Sequence, residues 1–404
     1  MSRVLYVSQY FVSADQPGGV RHWQHTRALA DAGHDVSVVT SYVQHKEREV
    51  PEEYRGKRVV REESDGLTIY RTYATPGYGR DLRSRLANYT TFASWSMVAM
   101  MRATRPDVVV ASSPPLPAAA AAAAVAKGRR VPFVLEVRDL WPDSAVAMGM
   151  LQDGPTVQAA ARLEAALYAQ ATRIIALTEG IRDGVLAKGV SPGKVRLVTN
   201  GIDLDIVDEA PMVPVDLPPD PFVAMYVGAH GTYSSLGTVL DAAELLLSDP
   251  AILFVLVGGG DQKEALLEDA AARGLHNVRF VDPIPKREVP SWLARADACI
   301  LPYQDRELFA GALPNKTFDY LASGAPLVVA APRGELTRLV LDGECGVVVP
   351  PEDPGAMANA IAALAADRAR AQALGANGAR LVRSDYDRAA LAARFVETVE
   401  SVAR

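Results

Sequence analysis

Val207-Asp208-Glu209-Ala210-Pro211-Met212-Val213-Pro214-Val215-Asp216-Leu217-Pro218-Pro219-Asp220-Pro221 is the stretch on which the fold turns. It holds five prolines, Pro211, Pro214, Pro218, Pro219 and Pro221, and several acids. Proline has no amide hydrogen and a fixed φ, so the stretch forms neither a helix nor a central strand and reads as a linker. Directly after it come the apolar run 222–227, the glycine turn Gly228-Ala229-His230-Gly231 and a helical segment. A strand, a turn and a helix restart there.

The same alternation runs to both sides. Residues 3–8, 35–40, 108–111, 133–137, 173–177 and 195–198 read as strands before the linker; 222–227, 252–257, 278–281, 298–301, 327–330 and 346–349 read as a second set. Most are continuously apolar, as in parallel strands covered by helices on both faces. Strands alternating with helices imply right-handed βαβ units. The expected fold is therefore α/β, with two Rossmann-like domains, 1–206 and 207–386. A last helix, 387–404, is expected to return to the first domain. Parallel sheets of this kind bind ligands beyond the carboxyl ends of their strands, so a cleft between the domains is the expected site.

The 404 residues are 49% hydrophobic and 22% charged, with a net charge of −6. That excludes a disordered chain and argues against a nucleic-acid partner bound through a basic surface. Cys299 and Cys345 lie in apolar runs and read as buried small residues, without a disulfide framework or a Cys-type zinc site. The N-terminus does not read as a secretory leader, and no stretch approaches the ~18 apolar residues of a membrane span. The expected location is the cytoplasm, either free or peripheral at the inner face of the membrane. One region is basic: Arg71, Arg80, Arg83, Arg85, Arg102 and Arg105 stand with the single acid Asp81 between 71 and 105. It reads either as a solvated helix face or as a surface for an acidic acceptor or anionic lipid headgroups.

Glycine turns after strands mark candidate ligand walls, because bare backbone lets amides approach a phosphate. Gly18 and Gly19 precede a helix, but not in the spacing of a dinucleotide fingerprint. Gly228, His230 and Gly231 form a second turn, and Gly258 opens a third. The most informative segment runs from Phe309 through Gly311-Ala312-Leu313-Pro314-Asn315-Lys316 to Asp319 and Gly324-Ala325-Pro326. A helix is expected to begin near Pro314 and stop at Gly324. Its free amides and Lys316 form an anion site, and the three-residue spacing puts Asp319 on the face of Lys316. A surface ion pair between those two is the alternative. His22, on the first helix, and His230 each fit a ligand contact or a turn or cap residue. Asp139, following a buried strand, fits an acceptor contact or base, or a helix cap.

At that last segment the sequence resembles the retaining glycosyltransferases of family 4, which have two Rossmann-like domains in the GT-B arrangement. The resemblance extends over nearly the whole chain. Pro17-Gly18-Gly19 with Gly33-His34-Asp35-Val36 is similar to the family's N-terminal signature, Asn200-Gly201-Ile202-Asp203 to its Asn-Gly-Val-Asp segment, and Asp282-Pro283-Ile284-Pro285 to its nucleobase wall. Leu313-Pro314-Asn315-Lys316 with Arg138-Asp139-Leu140-Trp141-Pro142 looks like the subgroup that builds bacterial surface polysaccharides from amino-sugar donors. The resemblance implies a UDP-sugar donor and a lipid-linked or small-molecule acceptor. It also implies transfer with retained configuration. No metal or other cofactor is expected, because no His or Cys cluster has ligand spacing and the helix N-terminus with Lys316 can stabilise a leaving diphosphate.

The sequence departs from the family in two places. Of the family's two glutamates separated by seven residues, Asp319 aligns with the second and Gly311 with the first. Its phosphate-binding Arg and Lys align with Ala229 and Ser234. Lys316, and after it Arg306, are the expected replacements. The candidate catalytic residues are His22, Asp139 and Lys316. The candidate donor site comprises Gly18, Gly19, Asn200, Gly228, His230, Gly231, Gly258, Ile284, Arg306, Gly311, Ala312, Leu313, Asn315, Lys316 and Asp319. A sugar-nucleotide epimerase of the same fold and a non-enzymatic two-lobed sugar-binding protein are the rival readings.

Overall fold

The computed structural model describes residues 1–12, 21–43, 49–76, 82–209 and 212–403. Gly18 and Gly19, Arg80 and Asp81, and Ala210 and Pro211 lie outside the described residues. The chain divides into two compact units, Met1–Thr199 with Ala390–Arg404, and Asn200–Ala389. The linker prolines thus fall inside the second unit, after a short helix, Leu204–Asp208.

The first unit is built on β1 (Arg3–Val7), β2 (Asp35–Ser41), β3 (Val59–Ser64), β4 (Leu67–Thr72), β5 (Val108–Ser113), β6 (Phe133–Val137), β7 (Arg173–Ala176) and β8 (Val195–Leu197). They form one sheet in the order β3-β4-β2-β1-β5-β6-β7-β8, parallel except for the edge strand β3. Successive residues explain the unbroken apolar runs. Leu5, Val109 and Leu135 join the core on one face, while Val4, Tyr6, Val108 and Val134 join the core on the other. Leu391, Phe395, Val396 and Val399 of the last helix, Arg388–Glu400, complete that second core.

The β3–β4 hairpin is not among the sequence-expected strands. Its turn is Asp65-Gly66, with φ of 53° and 73°. Two consecutive residues at positive φ form the primed turn that matches strand twist, and an Asp-Gly pair is its usual signal. β3 lies at the edge and is largely solvated, so after Val59 and Val60 it carries Arg61, Glu62, Glu63 and Ser64 rather than running apolar.

The second unit carries β9 (Phe222–Val227), β10 (Ile252–Val257), β11 (Val278–Val281), β12 (Ala298–Pro302), β13 (Leu327–Ala330) and β14 (Gly346–Val349). All neighbours are parallel, in the order β11-β10-β9-β12-β13-β14. Phe222, Ala224 and Tyr226 pack on one face and Val223 and Met225 on the other. The chain reverses its winding direction between β9 and β12, so the loops after these two strands border the switch point, where open α/β sheets bind ligands. Those loops contain Gly228–Gly231 and the approach to Lys316.

Candidate active site

Three loops meet at the carboxyl ends of β9, β10 and β12. Gly228 N donates to the Val257 carbonyl at 2.9 Å and His230 N to the Gly259 carbonyl at 2.9 Å, tying the second glycine turn to the third. The crossing leaves no room for side chains. A Cβ on Gly258, whose φ is +141°, would collide with the Gly228 carbonyl oxygen, and one on Gly260, at φ +153°, would lie 2.6 Å from the His230 carbonyl oxygen. Gly258→Ala is accordingly expected to destabilise the protein by about 2 kcal/mol or more, because backbone strain adds to a backbone clash. Urea denaturation checks this, and an unchanged midpoint contradicts it. The His230 ring is fully buried, 6.0 Å from the Tyr226 ring and 6.2 Å from that of Phe280. Burial first, then the charges of Lys263 and Lys316, push its pKa down to about 4, so the ring is neutral at pH 7.

The helix after β12 spans Lys316–Ala322, two residues later than proline chemistry suggested. Asn315 is still in helical geometry, and Thr317 N closes the first turn onto the Pro314 carbonyl at 3.0 Å. Among the described residues the amides of Leu313, Asn315 and Lys316 donate to no acceptor. Tyr320 fastens the helix to the sheet: its hydroxyl donates to the Val227 carbonyl at 2.9 Å and receives Val227 N at 2.7 Å.

Lys316 does not pair with Asp319. Its Nζ donates to Tyr226 Oη at 2.7 Å and lies 4.2 Å from that ring's centroid. The Tyr226 hydroxyl donates to the Ala229 carbonyl at 2.7 Å, with Ser234 Oγ 2.9 Å away. The ammonium is thus delivered to the pair of positions, Ala229 and Ser234, that lack a cationic side chain. Burial pushes the Lys316 pKa down to about 8. Gly228 makes the approach possible, since a Cβ there would sit 2.7 Å from Nζ. Asp319 faces the other way, into a cavity of 280 Å³ shared with Asp203, Lys286, Val289, Ser323 and Arg388. Burial raises its carboxyl pKa, with Lys286 and Arg388 opposing. Arg388 is held by the Gly201 carbonyl at 2.7 Å, beside Asn200 in the chain. Ile284 packs half-buried on the core of this face. Arg306 is exposed, its guanidinium 5.9 Å from the Tyr233 ring, so Lys316 is the cation of the two that the fold aims at the turn. Gly311 closes the short helix Glu307–Gly311, and Ala312 N donates to the Phe309 carbonyl at 3.2 Å.

In the first unit His22 is buried between two partners. Tyr6 Oη is 2.7 Å from Nδ1 and Arg138 NH1 is 2.8 Å from Nε2. A guanidinium only donates, so Nε2 accepts and the neutral ring carries its proton on Nδ1. Beneath it Glu136 is wholly buried, with Arg21 Nε 2.8 Å from Oε1. Asp139 follows Arg138 at the end of β6; burial raises its carboxyl pKa, with the Arg138 charge a lesser, opposing influence.

The residues 18–201 match the family model of a glycosyl transferase 4-like domain, and 221–367 match that of glycosyl transferases group 1. The chain belongs to the GT-B glycosyltransferases of family 4. This glycosyltransferase is 27% identical over 315 residues to an Escherichia coli K12 protein named as a colanic acid biosynthesis glycosyl transferase, WcaI, covering 75% of this chain and 77% of that one. It is 32% identical over 238 residues to D-inositol 3-phosphate glycosyltransferase 2 of Catenulispora acidiphila, covering 55% of this chain and 54% of that one, so the match spans about half of that relative. A solved structure of Anabaena HepE with UDP-glucose superposes with a TM-score of 0.68 over 99% of this chain and all of that one, at 16% identity.

Several residues of the glycosyltransferase that shape these sites escaped the sequence reading. Tyr226, which receives Lys316, reads from sequence as one more core aromatic in an apolar strand. Glu136 had a signal: it is the lone charge inside Phe133-Val134-Leu135-Glu136-Val137, a strand otherwise apolar throughout. A carboxylate there must be paired, and Arg21 is the partner, at 2.8 Å.

Proposed function

We propose that this glycosyltransferase moves a sugar, an N-acetylhexosamine or a related one, from UDP to a lipid-linked or small-molecule acceptor, with retained anomeric configuration. The observation that carries the reading is the position of Lys316. Its ammonium reaches the turn beside Ala229 and Ser234, where the family resemblance places a phosphate-binding Arg and Lys. The free amides of Leu313, Asn315 and Lys316 lie on the same loop. Together they suit a departing diphosphate, whose charge preorganised donors stabilise. That chemistry calls for no divalent metal, and transfer is proposed to persist in EDTA. With glycine at 311 the donor sugar is positioned by main chain near that residue, and acceptor attack occurs on the face the diphosphate leaves. The UDP-glucose bound in the HepE structure supports a UDP donor here. Incubation with UDP-N-acetylglucosamine, UDP-glucose and candidate acceptors tests the reading: proton coupling constants should report retention, and an inverted product or a free epimer sinks it.

The cavity at Asp319 fits the ribose, with Ile284 beside the base. Asp319→Ala is expected to weaken UDP binding by about 1.5–3 kcal/mol, the range of a hydrogen bond to a charged group. Calorimetry reads it, and an unchanged affinity rejects this placement.

A membrane-linked acceptor fits the helix Leu82–Arg102. Leu86, Met97 and Met101 are 38%, 40% and 62% exposed, and Arg83 and Arg102 are exposed near its two ends. The basic stretch is narrower than its sequence suggests. Arg71 is paired with Glu62 at 2.6 Å, and Arg85 points to Met150 Sδ at 3.0 Å. Replacing Arg83 and Arg102 with alanine should weaken binding to phosphatidylserine vesicles by about 1 kcal/mol per charge at low salt. Wild-type protein that ignores such vesicles points to a soluble acceptor.

A further inference from the structure

The buried cluster of the first unit leaves one guanidinium without an ion pair among the described residues. Burial pushes the Glu136 carboxyl pKa up, but Arg21, then His22, His25 and Arg138, hold it well below the usual carboxylate range. His22 and His25 are kept neutral, chiefly by burial. Arg21 pairs with that carboxylate at 2.8 Å, while Arg138 forms no ion pair among the described residues, neither with Glu136 nor with the neighbouring Asp139, whose carboxyl feels its charge.

That guanidinium belongs to Arg138. Arg21 uses all three nitrogens: Nε on Glu136 at 2.8 Å, NH1 on the Thr199 carbonyl at 2.7 Å and NH2 on the Val198 carbonyl at 2.7 Å. Arg138 is exposed, and among the described residues its side chain donates a single hydrogen bond, to the neutral Nε2 of His22 at 2.8 Å. Four of its five N–H donors have no acceptor among the described residues. His22 holds the guanidinium in place from below, and Tyr6 and the first helix hold His22. One strand over, Ser112 stands opposite Glu136 in the β5–β6 register, and its buried hydroxyl has no partner among the described residues. The carboxyl end of β6 thus presents a pre-oriented cation and a polar wall.

We propose that Arg138 binds a phosphate group of the acceptor. A fixed guanidinium fork matches phosphate oxygens bidentately, and a charge-assisted pair at such a site is strong. The inference rests on the reading of the chain as a sugar transferase whose donor binds the second unit. Its test uses no nucleotide, so its failure leaves the donor site untouched.

The arginine Nε–H resonances of the full chain are followed while inorganic phosphate is added. The wild type should show a saturable shift. Arg138→Gln should bind phosphate at least about tenfold more weakly, with Arg138→Lys between the two and Arg105→Gln like the wild type. No saturation in the wild type, an identical curve for Arg138→Gln with an unchanged melting temperature, or acetate binding as tightly as phosphate overturns the proposal. Competition with phosphate then separates the sources. Glucose 6-phosphate competing alone marks a soluble acceptor; phosphatidylcholine vesicles carrying a polyprenyl phosphate competing alone mark a lipid-linked one. Competition by both shows that the phosphate itself is what Arg138 reads, and competition by neither overturns the acceptor role.

Discussion

Replacing Lys316 with alanine is expected to lower kcat/KM for sugar transfer by about 10²–10³-fold, the scale on which removal of one preorganised donor acts in a polar site. The expectation follows from how the ammonium is held. Its hydrogen bond is to a tyrosine hydroxyl, not to a carboxylate, so no partner among the described residues neutralises its charge. It sits at the switch point of the sheet, where the diphosphate is proposed to lie. The same burial gives a pH signature. With its pKa near 8 in the free protein, Lys316 loses its proton as pH rises through that value. A diphosphate binds the protonated form, so donor affinity should fall above about pH 8, and binding there should take up a proton. Steady-state kinetics of Lys316→Ala at pH 7, and donor KM from pH 7 to 9, check both parts. Full activity in the variant removes Lys316 from the mechanism, and a flat profile removes its titration.

Glu136→Ala is expected to destabilise the protein by about 3–5 kcal/mol, because removing one partner of a buried ion pair leaves the other uncompensated. Arg21 would remain 10% exposed without its carboxylate partner, its other nitrogens fixed on the Val198 and Thr199 carbonyls. Urea denaturation measures the loss; a change below about 1 kcal/mol, the value of an exposed pair, contradicts it. The cluster also predicts acid lability. The folded-state pKa of Glu136 is depressed, so its contribution is present above the unfolded carboxylate range and fades as pH falls through the folded value. His22 acts in the same direction: its pKa falls from 6.5 to about 3 on folding, so the unfolded chain takes up a proton that the folded chain refuses. Stability should therefore decline as pH drops below about 6.5, and more gently in a His22→Gln variant that keeps the hydrogen bonds. Stability that stays level from pH 7 to 4 goes against this.

The central parallel strands were legible because each buries both faces, and the same burial that makes β1 or β9 continuously apolar makes it easy to find. The β3–β4 hairpin was not, because β3 is solvated at the sheet edge and mixes charges with apolar residues. Its Asp65-Gly66 turn was the available sign. Lys316 and Asp319 were legible as a cation and an acid on one helix, but their relation was not. Three-residue spacing places two backbones on one side of a helix, whereas a lysine's four methylenes let its head travel to Tyr226 while the short Asp319 stays at the cavity. Which tyrosine would receive it depends on strand order, and strand order is not written in local pattern. The network at Glu136 joins residues 21, 22, 136 and 138, and only the isolated charge in an apolar strand hinted at it.

The account stands most directly on nucleotide binding at Lys316 and Asp319. Melting temperature should be followed for the wild type, Lys316→Ala and Asp319→Ala while UDP, and in parallel GDP, ADP and dTDP, are raised from micromolar to millimolar concentration. Ligand that binds only the folded protein raises its stability by RT ln(1 + [L]/Kd), about 2.7 kcal/mol at a hundred times Kd. The account predicts a clear, saturating rise for UDP in the wild type that both substitutions reduce or abolish. No rise with any of the four nucleotides, or the same rise in all three proteins, would contradict it.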